Sequence, residues 1–173
     1  MMKKINIILG LSALAIQLSA QNQCSELVWS DEFDGTSLDL SKWEIQMGDG
    51  CPNLCGWGNA EMQTYTGQPE NLGVADGLLR ITAQFNEGGN PEVTSARLRT
   101  KNLASFTSGR IEASIKMPTG QGLWPAFWML SEDEVYGRWP LSGEIDITEL
   151  IGSMPSTTFG TIHYGAKWPN NQY

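Results

Sequence analysis

The chain has 173 residues, with 11 Lys or Arg against 19 Asp or Glu and a single His, so its formal net charge is −8 at pH 7. This acidic balance argues against nucleic acid or an anionic membrane as partner, because both repel a negative surface. It also disfavours a strongly anionic polymer as substrate. The length suffices for one domain with a hydrophobic core.

The N-terminus reads as a signal peptide covering residues 1–20. Lys3 and Lys4 precede an apolar run from Ile5 to Leu18, and the small residues Ser19 and Ala20 close it. A membrane-spanning helix needs ~20 apolar residues, so a retained anchor is the less favoured alternative. We therefore expect a secreted, periplasmic or cell-surface protein with no membrane attachment after cleavage. Its mature domain is residues 21–173, with a net charge near −10 once Lys3 and Lys4 are removed.

Three cysteines, Cys24, Cys51 and Cys55, would lie in an oxidising compartment after export. They allow one disulfide and leave one thiol. Cys51 and Cys55 close the shortest loop and are the favoured pair, although the other pairings remain open. A metal site is the other interpretation, but the lone His163 and the lack of a second Cys pair argue against zinc.

Strand signals dominate the mature chain, because no segment sustains a 3.6-residue apolar period and turn dipeptides recur. Seven short strands at this spacing predict an all-β sandwich or barrel. Residues 109–116 alternate polar and apolar, as in a half-buried antiparallel strand. The last residues follow a loop without a closing strand, so we expect an incomplete sheet. The predicted strands are 26–29, 78–83, 96–100, 109–116, 126–130, 143–149 and 159–163.

The sixth of these strands carries three acids, Glu144, Asp146 and Glu149. In a regular strand Glu144 and Asp146 share one face and Glu149, five positions after Glu144, faces the other way. One inserted residue restores the register, and β-bulges are frequent beside active sites. The sequence therefore predicts a bulge at Ile147-Thr148, with all three carboxylates on one face.

When carboxylates lie close together, the pKa of at least one of them is raised, which costs folding stability but is useful in catalysis. A retaining glycosidase needs one ionised carboxylate and one carboxylic acid ~5–5.5 Å apart. Such a pair fits Glu144 and Glu149, with Asp146 tuning their titration; the strand pattern alone does not say which is the acid. The alternative is a solvated acidic face paired with arginines. Trp124, Trp128 and Trp139 precede the strand closely, and aromatic rings beside acids suit sugars, which favours a site.

The sequence resembles glycoside hydrolase family 16, and within it the laminarinase-like endo-β-1,3-glucanases. The resemblance runs from about Leu27 to the last residue and rests on six motifs in order. The signature is Glu144-Ile145-Asp146-Ile147-Thr148-Glu149 in its bulged form. The other motifs lie at residues 30–35, 57–61, 94–98, 122–130 and 160–165.

This resemblance implies a jelly-roll β-sandwich of two antiparallel sheets (concanavalin-like), truncated at its C-terminus, with a glucan cleft on the concave face. It implies that Glu144 is the nucleophile, Glu149 the general acid/base and Asp146 the helper. Sugar contacts are implied for five residues, each of which could instead be structural: Trp124 and Trp139 in the core, His163 as a satisfied buried histidine and Arg97 in a surface ion pair. The five residues are Asn59, Arg97, Trp124, Trp139 and His163.

The resemblance further implies a structural calcium (Ca²⁺) ion on the convex side, with Glu32 and the Gly73 carbonyl matching part of its site, and no cofactor for catalysis. Thr148 departs from the family, in which methionine is common at this position. We expect a monomer that acts on a β-glucan polysaccharide. The alternatives are hydrolysis of mixed-linkage glucan or algal galactan, or a non-catalytic β-glucan-binding module. The bulged signature disfavours the lichenase type, and retention of both glutamates disfavours a binding module.

Overall fold

The computed structural model describes residues 26–173, so the predicted signal peptide and Cys24 lie outside the described residues. No helix in residues 26–173 is long and apolar enough to cross a membrane. The prediction of an all-β chain is confirmed, because the described helical structure is one irregular 3-10 turn at Cys55–Gly58. The strands are β1 Glu44–Gln46, β2 Thr64–Tyr65, β3 Leu72–Ala75, β4 Leu78–Ile81, β5 Gln84–Phe85, β6 Val93–Ser95, β7 Arg97–Arg99, β8 Ala126–Leu130, β9 Glu144–Leu150, β10 Thr158–Gly165 and β11 Asn171–Gln172.

The largest sheet within residues 26–173 has four antiparallel strands in the order β11-β10-β9-β8. Its central strand β9 carries the three acids. Glu144 lies opposite Leu130 on β8 and His163 on β10, and Asp146 lies opposite Trp128. Residues directly opposite each other in an antiparallel pair share a face. The sheet therefore places an imidazole and an indole on the same face as the acids.

The predicted bulge at Ile147-Thr148 is confirmed by the register on both sides of β9. On the β8 side Thr148 pairs with Phe127 and Asp146 with Trp128, which leaves Ile147 without a partner. The register with β10 shifts at the same place, between Phe159 and Thr161. One extra residue in β9 thus reverses the alternation, as a β-bulge does.

The described chain also has three smaller sheets. β1 pairs with β7, β3 pairs with β4 across the Asp76-Gly77 turn, and β6 lies between β2 and β5. The β2–β6 pair is parallel, which the expectation of purely antiparallel sheets did not include. Asp76 and Gly77 both have positive φ, which suits glycine and is tolerated by Asp in a tight turn.

Few side chains in residues 26–173 are fully enclosed. Val74, Ala96 and Leu150 are the buried apolar residues, and Pro140 is the largest side chain with almost no exposure. Behind β9 and β10, on the face opposite the acids, Ile145 remains 46% exposed and Ile162 57% exposed. These two isoleucines are therefore not enclosed by residues 26–173.

Two predicted strands are wrong. Residues 26–29 and 109–116 have no strand structure, and the apolar Ile111 and Ile115 in the second segment are 38% and 45% exposed. Alternation marks a strand only where another strand pairs with it. No such partner is present among residues 26–173, so the pattern in 109–116 does not produce a ladder there.

Candidate active site

The three acids converge on one face of β9. Besides the effect of burial, Asp146 and Glu149 both lie close enough to Glu144 for their charges to raise its pKa. The Asp146 side chain is only 3% exposed. Trp124 donates its indole N–H to Glu149 Oε1 at 2.9 Å. Since β9 presents Glu149 on the side of Asp146, the bulge assembles the carboxyl cluster that the sequence predicted.

The pKa values of both glutamates are raised. Burial, then the hydrogen bond with Asp146 and its charge, raise the pKa of Glu144 to about 7, while an interaction with Trp139 opposes this. Partial burial, then the charge of Asp146, raise the pKa of Glu149, while the Trp124 hydrogen bond and His163 oppose it. Desolvation and like charge both disfavour ionised carboxylates. The cluster therefore holds protons at pH values where an isolated glutamate would be ionised.

His163 lies against Asp146, with Nε2 3.2 Å from Asp146 Oδ2. The two atoms are close without hydrogen-bond alignment. Asp146 Oδ2 and His163 Nδ1 are buried and lack a hydrogen-bond partner within residues 26–173. Donor atoms of Glu144, Asp146 and His163 also lie within 4.8 Å of one another. Two carboxyls and an imidazole are a ligand set that a divalent cation accepts.

Aromatic side chains flank both ends of the acid pair. Trp124 is 61% exposed beside Glu149, and Trp139 is 40% exposed beside Glu144 and His163, with a Trp139–His163 ring separation of 5.9 Å. Neither tryptophan is a core residue within the described chain. Their accessible rings next to the carboxyls suit a sugar ring. Trp128 is half-buried on the same face, opposite Asp146.

Arg97 lies between two tryptophan rings, and its predicted sugar contact stays a prediction. Its guanidinium carbon lies 4.5 Å from the Trp57 ring centre and 4.9 Å from that of Trp128. It donates to Gln46 Oε1 at 2.7 Å and lies 3.7 Å from Glu61 Oε1. Stacking of this kind is a cation–π interaction. Arg97 therefore contacts Trp57, Trp128 and Glu61 at once. Its ion pair with Glu61 is not a surface one, because both side chains are less than a fifth exposed.

Glu61 is a site residue that the sequence reasoning missed. Its Oε2 accepts hydrogen bonds from the Tyr65 hydroxyl at 2.6 Å and from Gln63 at 2.9 Å. Its Oε1 lies 3.5 Å from the amide nitrogen of Asn59, which is exposed. The signal available was the spacing Glu61-x-Gln63-x-Tyr65, which puts three polar side chains at alternate positions of the segment that leads into β2.

The predicted disulfide between Cys51 and Cys55 is confirmed, with an S–S distance of 2.01 Å. It closes a loop that leads directly into Trp57. The Trp57 indole donates to Gly48 O at 3.2 Å, and Gly56 N donates to Asp49 O at 2.8 Å. The disulfide-closed loop thereby positions the Trp57 ring against the Arg97 guanidinium.

The calcium site stays a prediction. Glu32 is exposed, and it belongs to no group of three metal-binding side chains in residues 26–173. The Asp76-Gly77 turn approaches the Glu32 carbonyl, since a Cβ on Gly77 would lie 3.8 Å from it. No such contact is seen for Gly73. Glu32 and Gly73 alone do not make a calcium site, since Ca²⁺ takes about six to eight oxygen ligands.

A bulged strand with paired carboxyls between exposed aromatic rings defines the site as one of glycosidase type. The profile of the family described as "XgeA-like, catalytic GH16 domain" matches residues 60–172. The chain belongs to glycoside hydrolase family 16.

Known proteins agree with this assignment. The chain is 45% identical over 156 residues to "Glucan endo-1,3-beta-glucosidase A1" of Niallia circulans, covering 84% of this chain and 23% of that protein. It is 43% identical over 163 residues to "Beta-glucanase" of Rhodothermus marinus, covering 92% and 55%. Among solved structures, the laminarinase from Flavobacterium sp. UMI-01 superposes with a TM-score of 0.73 at 43% identity, covering 85% and 63%. The fold is therefore that of the laminarinases, the jelly-roll sandwich that the sequence predicted.

The chain spans about half the length, or less, of these two curated relatives.

Proposed function

We propose that the full-length protein is a retaining endo-β-1,3-glucanase. The observation that carries this proposal is the β9 register, which turns Glu149 to the face of Glu144 and Asp146. The names of the Niallia circulans and Flavobacterium relatives support β-1,3-glucan as the substrate class. The exposed Trp124 and Trp139 suit a neutral sugar chain.

Glu144 attacks the anomeric carbon while Glu149 gives its proton to the departing glycosidic oxygen. The C–O bond breaks with its electron pair going to that oxygen, and a covalent bond forms between the sugar and Glu144. Water then attacks the same carbon, Glu149 removes its proton, and the Glu144–sugar bond breaks. Two inversions retain the anomeric configuration. No cofactor takes part in either step.

The two glutamates are not equivalent. Burial and Asp146 raise the pKa of Glu144 to about 7, so near neutral pH about half of the molecules carry the Glu144 carboxylate that attacks. Trp124 faces Glu149 and not Glu144, so the two glutamates sit in different surroundings, as separate acid and nucleophile roles require.

The experiment is reducing-end release from laminarin, lichenan and agarose by the full-length protein. We expect laminarin to be the best substrate and Glu144→Gln to lose at least about a thousandfold in rate, while the exposed control Glu70→Gln keeps the parental rate. NMR of the first product should show the β anomer. Parental activity in Glu144→Gln refutes the nucleophile assignment, and an initial α anomer refutes retention. Preference for lichenan or agarose would instead support the mixed-linkage or galactan alternatives.

Export is part of the same proposal. The Lys3-Lys4 start and the apolar run before residue 20 support cleavage by a signal peptidase and release from the membrane. N-terminal sequencing of protein recovered from outside the cytoplasm should begin at Gln21. Recovery of an uncleaved chain starting at Met1 in the membrane fraction would refute it.

A further inference from the structure

Trp168 is an exposed aromatic residue that the proposed catalytic steps do not use. It lies between β10 and β11 and is 66% exposed. Its ring centre is 6.0 Å from that of Trp139, with 35° between the ring planes. Trp139 in turn lies 5.9 Å from His163, which contacts Asp146. A row of rings therefore leads from the carboxyl cluster to Trp168.

The direction of this row follows from the sheet. Trp139 precedes β9 and Trp168 follows β10, so the step from one indole to the other crosses the strands toward β11. The Arg97 stack, with Trp128 on β8, lies on the opposite side of β9. The acid pair thus has aromatic groups on both sides across the sheet, and a long polymer that crosses the strands would meet both.

The segment that bears Trp168 is held in place by backbone contacts. β10 and β11 pair through Tyr164 with Gln172 and Gly165 with Asn171. Asn170 N donates to Lys167 O at 2.9 Å within the connecting turn. Because the ring is already held on a short hairpin, little conformational entropy is lost when a ligand stacks on it.

We propose that Trp168 forms, with Trp139, an additional sugar-binding platform on the β11 side of the Glu144–Glu149 pair, for a neutral β-linked glucan chain. The platform lengthens the cleft by offering apolar indole faces to the C–H faces of sugar rings. This inference rests on the proposed function for its substrate class. It predicts that Trp168 contributes to binding of long chains and not to bond cleavage.

The test uses the full-length protein with Trp168→Ala, Trp168→Tyr and the matched control Phe85→Ala, because Phe85 is also 66% exposed but lies on β5, in another sheet. Steady-state kinetics are measured on laminari-oligosaccharides of increasing length and on laminarin. Trp168→Ala should raise KM about fivefold on the longer substrates, with kcat and the shortest cleaved substrate unchanged. Trp168→Tyr should keep most of the affinity, and Phe85→Ala all of it.

A parallel fluorescence titration with laminarihexaose in the Glu144→Gln background measures binding without turnover. If the parent hydrolyses laminarin but Trp168→Ala matches it at every substrate length, the platform is refuted while the proposed function stands. If the parent does not hydrolyse laminarin, the proposed function fails. In that case, loss of laminarihexaose binding in Trp168→Ala but not in Phe85→Ala still supports the platform, and unchanged binding in Trp168→Ala refutes the platform. A lowered melting temperature with unchanged sugar binding would also refute it, since Trp168 would then cover protein.

Discussion

Glu144 and Glu149 are five positions apart on β9, yet their partners are only four apart on each neighbouring strand, Ala126 to Leu130 on β8 and Phe159 to His163 on β10. The difference of one residue is the bulge at Ile147. Side chains alternate along a strand, so an even number of steps on the partner strands means that both glutamates share a face. The geometry of the site thus depends on one inserted residue.

Deleting Ile147 should therefore keep Glu149 on the face of Glu144, because the two glutamates are then four positions apart in a regular strand. Deleting Ile147 and Thr148 together leaves them three positions apart and turns Glu149 to the other face. We expect the double deletion to lose at least about a hundredfold in laminarin hydrolysis, the scale expected for a misplaced catalytic group, and the single deletion to lose much less. Equal losses in two variants that both unfold cooperatively would contradict this account of the bulge.

The bulge in β9 could be predicted from the sequence, because the spacing of its acids and the need for two neighbouring carboxyls both point to it. Regular alternation separates Glu144 from Glu149, and only a bulge reunites them, so its position could be predicted. In the alternating segment 109–116, no functional group requires a particular strand pairing. Its strand prediction failed because pairing depends on a partner strand, which a local pattern does not reveal.

The surroundings of Arg97 could not be predicted for a related reason. Trp57, Gln46 and Trp128 come from three distant parts of the chain, and only the fold brings them to one guanidinium. A motif match marks Arg97 as important without saying what it touches. The Cys51–Cys55 disulfide could be predicted because these two cysteines are four positions apart and close the shortest loop.

The pH dependence of stability should report the proton on Glu144. Its pKa is raised from 4.5 to about 7 by burial and by Asp146, so the folded state binds this proton more tightly than the unfolded state. The resulting stabilisation is complete below pH 4.5 and is lost as the pH rises through 7. We expect it to be about 1–2 kcal/mol, less than the full linkage value because the carboxyl is partly exposed and screened.

Urea unfolding at pH 5 and pH 8 measures this effect. Relative to the parent, Glu144→Gln should gain stability on going from pH 5 to pH 8, because the variant has no carboxyl to ionise. The exposed control Glu70→Gln should show no such change. An equal pH response in Glu144→Gln and the parent would show that Glu144 does not hold a proton at neutral pH.

Arg97→Lys should destabilise the protein. A lysine keeps the charge but loses the planar stack between Trp57 and Trp128 and the directed hydrogen bond to Gln46. We expect the free energy of unfolding to fall by about 1–3 kcal/mol, the combined scale of cation–π and part-buried polar contacts. Arg80→Lys is the matched control, since Arg80 is more than half exposed in a 4.0 Å ion pair with Asp76, and it should change stability by less than about 0.5 kcal/mol. Equal effects of the two substitutions would refute a stabilising role for the Arg97 stack.

Trp124→Phe should move the alkaline limit of activity to higher pH. The Trp124 indole N–H donates to Glu149 Oε1 at 2.9 Å and stabilises its carboxylate, which lowers the pKa of Glu149 against the raising effects of burial and Asp146. Phenylalanine keeps an aromatic ring but cannot donate, so the pKa of Glu149 rises. Because Glu149 must be protonated to act as the acid, the kcat/KM profile on laminarin should stay high to a higher pH than in the parent. Trp168→Phe removes an indole N–H far from Glu149 and should leave that limit in place. A shift to lower pH in Trp124→Phe would mean that the alkaline limit belongs to a group other than Glu149.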